Sequence, residues 1–264
     1  MDGGLKTVMS RDANDMEIKD DGSIEIYLSV LKPPNVPESN WLALNPSVTT
    51  AMFIVRQTFM LRNNEIPAKL QIERIGGNGK STPLTAKHVE EALQKTGMLV
   101  AGASMLFSHW VNGFQKHTNK LPLFDQETSN KAGGDPSIRY YHSYWKLSVD
   151  EALVIKATPP ECQTWNFQLD NYWMEALDAR YFTIWINKGT ASYRPDKSVR
   201  VVVAHRDPTG LCNKDCIFDW IDTCGHHEGH MLWRWVKPTI SDDKLPAPIP
   251  TVVKLKDLSD FLSD

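Results

Sequence analysis

Between residues 139 and 255 the apolar residues fall into seven short runs, at 139–146, 152–157, 164–169, 181–186, 199–205, 231–236 and 251–255, separated by Pro, Asn, Asp and Gly. Runs this short, rich in β-branched and aromatic residues and punctuated by turn formers, read as strands. Seven strands at such spacing predict a mainly β fold, an antiparallel jelly roll or β-sandwich, and argue against alternating β/α units. Trp145, Trp165, Trp173, Trp185, Trp220, Trp233 and Trp235 all lie in this half, so the larger aromatic core is expected here.

The N-terminal part carries weaker signals. After a polar start, Asp21-Gly22 opens a run in which Ile24, Ile26, Leu28 and Val30 share one strand face, and Pro33, Pro34 and Pro37 stop it. Apolar runs at 51–59 and 70–75 follow, closed by Gly76, Gly77 and Gly79. The GGNGK text around Lys80 and Ser81 lacks the spacing of a phosphate-binding loop and reads as a surface turn. From 85 to 116 the apolar period becomes helical through Val89, Leu93, Val100, Ala103, Phe107, Trp110, Val111 and Phe114, with Thr85 placed to cap the start. His109 and His117 on that helix read as surface or packed residues. The Gly133-Gly134-Asp135-Pro136 stretch marks a linker. The expected division is therefore a partial β repeat at 1–80, a helical segment and linker at 81–134, and a β-sandwich at 135–264.

Laid against itself, the chain shows a decayed repeat. The text DGSIEIYLSV…NW aligns with DKSVRVVVAH…DW, so that Asp21 meets Asp196, Pro34 meets Pro208, Trp41 meets Trp220 and Arg56 meets Arg234. Nothing before Asp21 corresponds to residues 139–186. The first copy thus lacks its leading strands, and the open sheet edge this leaves needs covering by the other half, the helix, a second copy or a partner chain.

The run WKLSVDEALVIKATPPECQTWNFQLDNYWMEALD, with SVRVVVAHRDP, DWIDTCGHHEG and LWRW, resembles the uncharacterised DUF1214 domain, which often follows a DUF1254 domain in bacterial proteins. The resemblance spans roughly 135–257, with the N-terminal part similar to the tail of an incomplete second copy. It implies a jelly-roll sandwich without an agreed biochemical function. One departure concerns the loop after Pro208: the family's turn leads almost directly to Asn-Trp, whereas here residues 211–218 intervene and Asp219 precedes Trp220.

Candidate chemistry gathers in 199–235. If strands 199–205 and 231–236 form a hairpin, His205, Arg206 and Asp207 meet Asp222, His226, His227, Glu228 and His230 at one end of the sandwich. His205, Asp222 and His226 are the expected acid-base residues, since a carboxylate fixes the tautomer of a neighbouring imidazole. The alternative is that His205 and Asp222 satisfy backbone groups at a tight corner. A zinc site is a second reading of the same text: Cys224, His226 and His230 are suited to zinc, with Cys212 and Cys216 nearby, although the spacing matches no usual zinc motif. In an oxidising compartment Cys212 and Cys216 would instead pair. A polar face of Asn166, Gln168 and Asp170, together with Trp173, Arg206, Asp207, Trp220 and Arg234, offers amides, cations and rings for a sugar-like or carboxylated small molecule; a solvated sheet face is the plain alternative.

The near-balanced charge, -3 overall and without blocks of one sign, supplies no footprint for nucleic acid or an anionic membrane. No nucleophile elbow, dinucleotide fingerprint or kinase motif set is present. With no signal peptide or membrane span read in the text, the expectation is a cytoplasmic protein without a cofactor. It binds a small molecule, with a non-catalytic interaction module and a metal-dependent hydrolase or lyase as alternatives.

Overall fold

The computed structural model describes residues 7–48, 51–77, 79–81, 83–212 and 216–263. In chain order its elements are strands β1 (Tyr27–Ser29) and β2 (Trp41–Ala43), helices α1 (Ala86–Phe114) and α2 (Gln126–Lys131), strands β3 (Ile138–Lys146), β4 (Glu151–Ala157), β5 (Cys162–Leu169), β6 (Trp185–Asn187), β7 (Val199–Ala204), β8 (Asp219–Asp222), β9 (Glu228–Pro238) and β10 (Ile249–Lys254), and helix α3 (Leu258–Ser263). They fall into two compact units. The smaller joins the chain up to Thr58 with Asp125–Ile138, and the larger joins Phe59–Phe124 with Arg139–Asp264.

In the smaller unit β1 and β2 pair in parallel, with Tyr27 opposite Trp41, Leu28 opposite Leu42 and Ser29 opposite Ala43. An Asx turn leads in: Asp21 Oδ1 accepts from the Ser23 amide at 2.9 Å, and Gly22 takes a φ of 82°, a conformation glycine adopts without penalty. Asn40 is buried; its Oδ1 accepts from the Glu17 amide at 2.8 Å, and the Trp41 indole donates to Ser29 Oγ at 3.0 Å. The expected strand over 24–30 shrinks to three residues, and the apolar run at 51–58 is exposed and forms no strand.

The larger unit contains two four-stranded sheets, ordered β10-β4-β7-β8 and β3-β9-β5-β6. Leu153, Ile155, Val199, Val201, Val203 and Ile221 of the first and Tyr141, Trp145, Trp165, Phe167, Trp233 and Trp235 of the second form one core cluster. The aromatic half expected from the tryptophans is real: Trp165 and Trp233 stack at 5.0 Å with planes 5° apart. Burying each such side chain stabilises the fold by about 1.5–3 kcal/mol. On the back of the first sheet Leu258 and Leu262 of α3 pack with Ala152, Val154, Val202 and Ala204. Strand β7 is therefore buried on both faces, which explains its nearly continuous apolar text, and the buried Arg200 guanidinium donates to the Leu262 carbonyl.

Two sequence expectations are corrected here. The strands at 199–205 and 231–236 do not form a hairpin: β7 and β9 belong to different sheets. The intervening chain instead supplies β8, which runs parallel to β7 with Val202 opposite Trp220, Val203 opposite Ile221 and Ala204 opposite Asp222. The strand expected at 181–186 is the shorter β6, because Tyr181 and Phe182 are exposed. Upstream of β7, Asp196 Oδ1 accepts from the Ser198 amide at 2.9 Å and Lys197 has a φ of 65°. Asp219 Oδ2 accepts from the Ser192 amide at 2.8 Å, and the Trp220 indole donates to the Ala204 carbonyl at 3.2 Å.

Helix α1 begins as expected, with Thr85 Oγ1 accepting from the His88 amide at 3.1 Å. Only Val111 and Phe114, in its last turn, are buried. No helix among the described residues is long and apolar enough to cross a membrane.

Candidate functional site

Strand periodicity creates a polar face opposite the tryptophan core. Because Trp165, Phe167 and Leu169 of β5 and Met231, Trp233 and Trp235 of β9 point inward, Asn166 and Gln168, then Asp170 beyond the strand end, and His230, Leu232 and Arg234 point outward. The antiparallel register sets Asn166 opposite Arg234 and Gln168 opposite Leu232, and the Asp170 amide donates to the His230 carbonyl at 2.9 Å. The neighbouring β3 adds Tyr140, His142 and Tyr144 by the same alternation.

Along this face runs a chain of ionisable groups. Asp170 Oδ2 lies 2.8 Å from His230 Nδ1, with both side chains withdrawn from solvent, and His230 Nε2 lies 3.0 Å from His142 Nδ1. Gln168 Nε2 donates to the other Asp170 oxygen at 2.5 Å. An ionised carboxylate only accepts, so His230 must carry a proton on Nδ1. One proton then occupies the bond between the two imidazoles, and His142 Nε2 is left as the outward terminus, with no hydrogen bond among the described residues.

The His142 ring lies between aromatic faces. Phe114, from the last turn of α1, stacks on it at 4.9 Å and 9°, Tyr140 at 5.5 Å and 18°, and Phe124 meets it edge-on at 5.1 Å. This burial holds the His142 pKa well below the ordinary value of about 6.5, and the nearby His230 and Arg234 charges push the same way. At neutral pH His142 is consequently uncharged.

The carboxylate end is fixed by backbone. Gly229 sits so close to the Asp170 carbonyl that a Cβ would overlap the oxygen, and the Trp145 indole donates to that carbonyl at 3.4 Å. At the other end Arg234 Nη1 donates to Asn166 Oδ1 at 3.0 Å. Asn187, opposite Asn166, donates to the carbonyls of Phe59 and Met60 at 3.2 and 2.9 Å.

Elsewhere the expected residues scatter. His205 hydrogen-bonds through Nδ1 to Thr223 Oγ1 at 2.8 Å and through Nε2 to the Leu147 carbonyl at 3.2 Å, and its ring meets His227 at 5.2 Å. Asp222 Oδ1 accepts from the Cys224 amide at 2.8 Å, while His226 is exposed and donates its own amide to the Thr223 carbonyl at 2.9 Å. No hydrogen bond joins the His205, Asp222 and His226 side chains. Arg206 and Asp207 are exposed, with Asp207 Oδ1 closing a turn onto the Thr209 amide at 2.8 Å, and Trp220 packs on the α3 side of the first sheet. Trp173 is half exposed and meets Tyr172 edge-on at 5.1 Å.

Cys224, His226 and His230 are not gathered: Cys224 Sγ faces the Asp222 carbonyl at 3.8 Å and His230 is committed to Asp170 and His142. Among the described residues no group of three or more His, Cys, Asp or Glu is arranged to hold a metal. Burial pushes the Cys212 and Cys224 thiols up to about 11, helped by Cys216 and Asp222 respectively, so both stay protonated and unreactive near neutrality.

Of the residues on this face, the sequence names Asn166, Gln168, Asp170 and Arg234 as a polar face and His230 as part of a separate histidine corner, and it does not single out His142. The available signal was parity within YYHSYW, which sets His142 opposite the buried Tyr141 and in line with Tyr140 and Tyr144.

The model of DUF1214, a family of unknown function, matches residues 3–57, in agreement with the family named from the motifs, although on the N-terminal part rather than on 135–257. No curated protein matches. The crystal structure of an uncharacterised protein from Burkholderia cenocepacia is similar over 92% of this chain at 39% identity, with a TM-score of 0.79. This chain spans 63% of that protein's length. A Vibrio parahaemolyticus protein matches over 66% of this chain and 47% of its own at 14% identity, with a TM-score of 0.32.

Proposed function

We propose that the outer face of the β3-β9-β5-β6 sheet binds a small carboxylated or sugar-like molecule and that His142, backed by His230 and Asp170, exchanges a proton with it. The observation that carries this reading is the buried Asp170–His230–His142 chain. Withdrawing a carboxylate and two imidazoles from water costs several kcal/mol before their mutual hydrogen bonds offset it, and apolar residues would fill the same volume more cheaply. A buried imidazole with a lowered pKa, hydrogen-bonded in series to a second imidazole and a carboxylate, is an arrangement that acid-base chemistry can use. In this reading Asp170 sets the His230 tautomer, His230 positions His142, and His142 Nε2 takes or delivers the proton. Arg234 and the Asn166 and Gln168 amides supply the polar contacts that orient a ligand. His205, Asp222 and His226 have less support, since both His205 ring nitrogens are engaged and His226 lies in solvent.

We also read the larger unit as a jelly-roll relative and the smaller as a partial copy of part of it. Support for the copy is local: the Asx turn at Asp21 matches that at Asp196, and the parallel pairs β1-β2 and β7-β8 share one register.

The test is a thermal-shift screen with a panel of small carboxylates and sugars, run on the native chain, Arg234→Ala and His142→Gln. A ligand held at about 100 times its Kd should add about 2.7 kcal/mol of stability to the native chain. The expected result is a shift lost in Arg234→Ala and kept in His142→Gln, with turnover of that ligand lost in His142→Gln. Absence of a shift across the panel would reject the binding face.

A further inference from the structure

The chain that follows α1 explains how His142 comes to be enclosed. Strand β3 lies at the edge of its sheet, and residues 115–124 are tied along it as a strap. The Asn119 amide donates to the Tyr144 carbonyl at 2.7 Å, and the Phe124 amide donates to the Tyr140 carbonyl at 2.8 Å. Asn119 takes a φ of 57°, which asparagine adopts more readily than most residues. Its side chain brackets Lys146, with Oδ1 accepting from the amide at 2.9 Å and Nδ2 donating to the carbonyl at 2.8 Å. The buried Ser143 hydroxyl donates to the His117 carbonyl at 2.6 Å, and Leu121 is buried in the tryptophan core. So many ties leave the ends of the strap little freedom, and each end carries a phenylalanine onto His142.

The buried Phe114 touches both imidazoles. It stacks on His142 at 4.9 Å and 9°, leans on His230 at 5.2 Å and 42°, and meets Phe124 edge-on at 5.8 Å and 70°. A phenyl ring carries no charge and no conventional hydrogen-bonding group, so what it contributes here is shape and the exclusion of water. We infer, on the acid-base reading of His142 proposed above, that Phe114 is a positioning residue of the proton-exchange site: its ring holds the two imidazoles in hydrogen-bonding register and keeps water from the proton between them. The titratable and charged groups facing His142 are Tyr140 of its own strand and His230 and Arg234 of β9, with Asp170 behind His230. From α1 and the strap come Phe114 and Phe124, neither of which ionises. Two effects of the Phe114 ring oppose each other, since excluding water penalises an imidazolium whereas an aromatic face attracts one. Burial is the larger influence on His142, so removal of the ring should make His142 easier to protonate.

The experiment is a proton and nitrogen NMR titration of the full chain labelled in its histidines. It needs no ligand, so a small-molecule panel without a binder would reject the acid-base reading and leave these readouts untouched. In the native chain the His230 Nδ1 proton should appear as a slowly exchanging downfield resonance, and His142 should titrate below 6.5. Phe114→Ala should exchange that proton at least about tenfold faster and raise the His142 midpoint toward 6.5, with the near-UV circular dichroism of the stacked Trp165 and Trp233 retained. Phe114→Leu, which restores apolar bulk, should recover most of both readouts. Phe114→Val should fall between the two, and it decides the matter alone if the alanine variant does not fold. Val111→Ala removes the other buried anchor of α1 and should leave both readouts as in the native chain, a result that attachment of the helix alone would not give. A His142 midpoint that stays in place or falls in the Phe114 variants, or that rises as far in Val111→Ala, overturns the positioning role.

Discussion

His142 is the residue on which the acid-base reading turns, and its pH behaviour is calculable in sign. Burial first, then His230 and Arg234, lower its pKa in the folded chain below the ordinary value of about 6.5 that it recovers on unfolding. The unfolded chain thus binds the proton first as pH falls. The neutral ring's contribution is fully present above about pH 6.5 and is lost as pH drops from there toward the folded pKa, by at most about 1.4 kcal/mol per pH unit for one proton. Urea unfolding between pH 7 and pH 5 should therefore show a shallower decline in stability for His142→Phe than for the native chain. Equal slopes would mean that His142 stays accessible to protons. Much of this site was open to reading in the letters: the alternation of 164–169 puts Asn166 and Gln168 outward whatever the partners. What the letters lacked was the pairing of β5 with β9 and of β9 with β3, since Asp170, His230 and His142 are far apart in sequence and meet only through sheet order. The dense histidine text at 226–230 drew attention to His226, which lies in solvent, and away from the single histidine in YYHSYW.

Among the elements, α1 is the least anchored. Its 29 residues bury Val111 and Phe114 alone, while Leu93, Met98, Leu99, Val100, Met105 and Leu106 are exposed. Helices in proteins owe most of their stability to packing of one face, so the first five turns have little to hold them. Amides of Val89–Leu106 should exchange at least about a hundred times faster than those of β5 and β9, measured by hydrogen exchange with mass spectrometry. Comparable protection would show that the helix is covered in solution. The helix itself was legible, because the 3.6-residue period and the Thr85 cap are local properties. Its exposure was not, because an apolar stripe states which face would be buried and not whether anything lies against it. Strand β8 escaped notice for a related reason: DWID shows no alternation of burial type strong enough to be seen outside its sheet, where Val202 and Trp220 stand side by side.

For the molecule as a whole, the two units have unequal cores. Val36 and Leu42 are the buried hydrophobic residues described in the smaller unit, whereas the larger holds the tryptophan cluster and the α3 cluster. Unequal cores favour separate transitions. In a urea titration the emission change of Trp41, read as the difference between the native chain and Trp41→Phe, should finish before the near-UV circular dichroism of the stacked Trp165 and Trp233 begins to fall. A single coincident transition would show the units to be coupled. Fold class was legible from spacing alone, since short apolar runs between turn formers leave few alternatives to stacked sheets. Sheet membership was not, because β7 and β9 have similar texts and only the crossover through β8 decides their separation. The close approach of Gly229 to the Asp170 carbonyl has one more consequence. There the main chain works as a rigid jig, unable to accept even a methyl group, so any side chain at position 229 must push aside the backbone that carries Asp170 and, with it, the carboxylate held against His230.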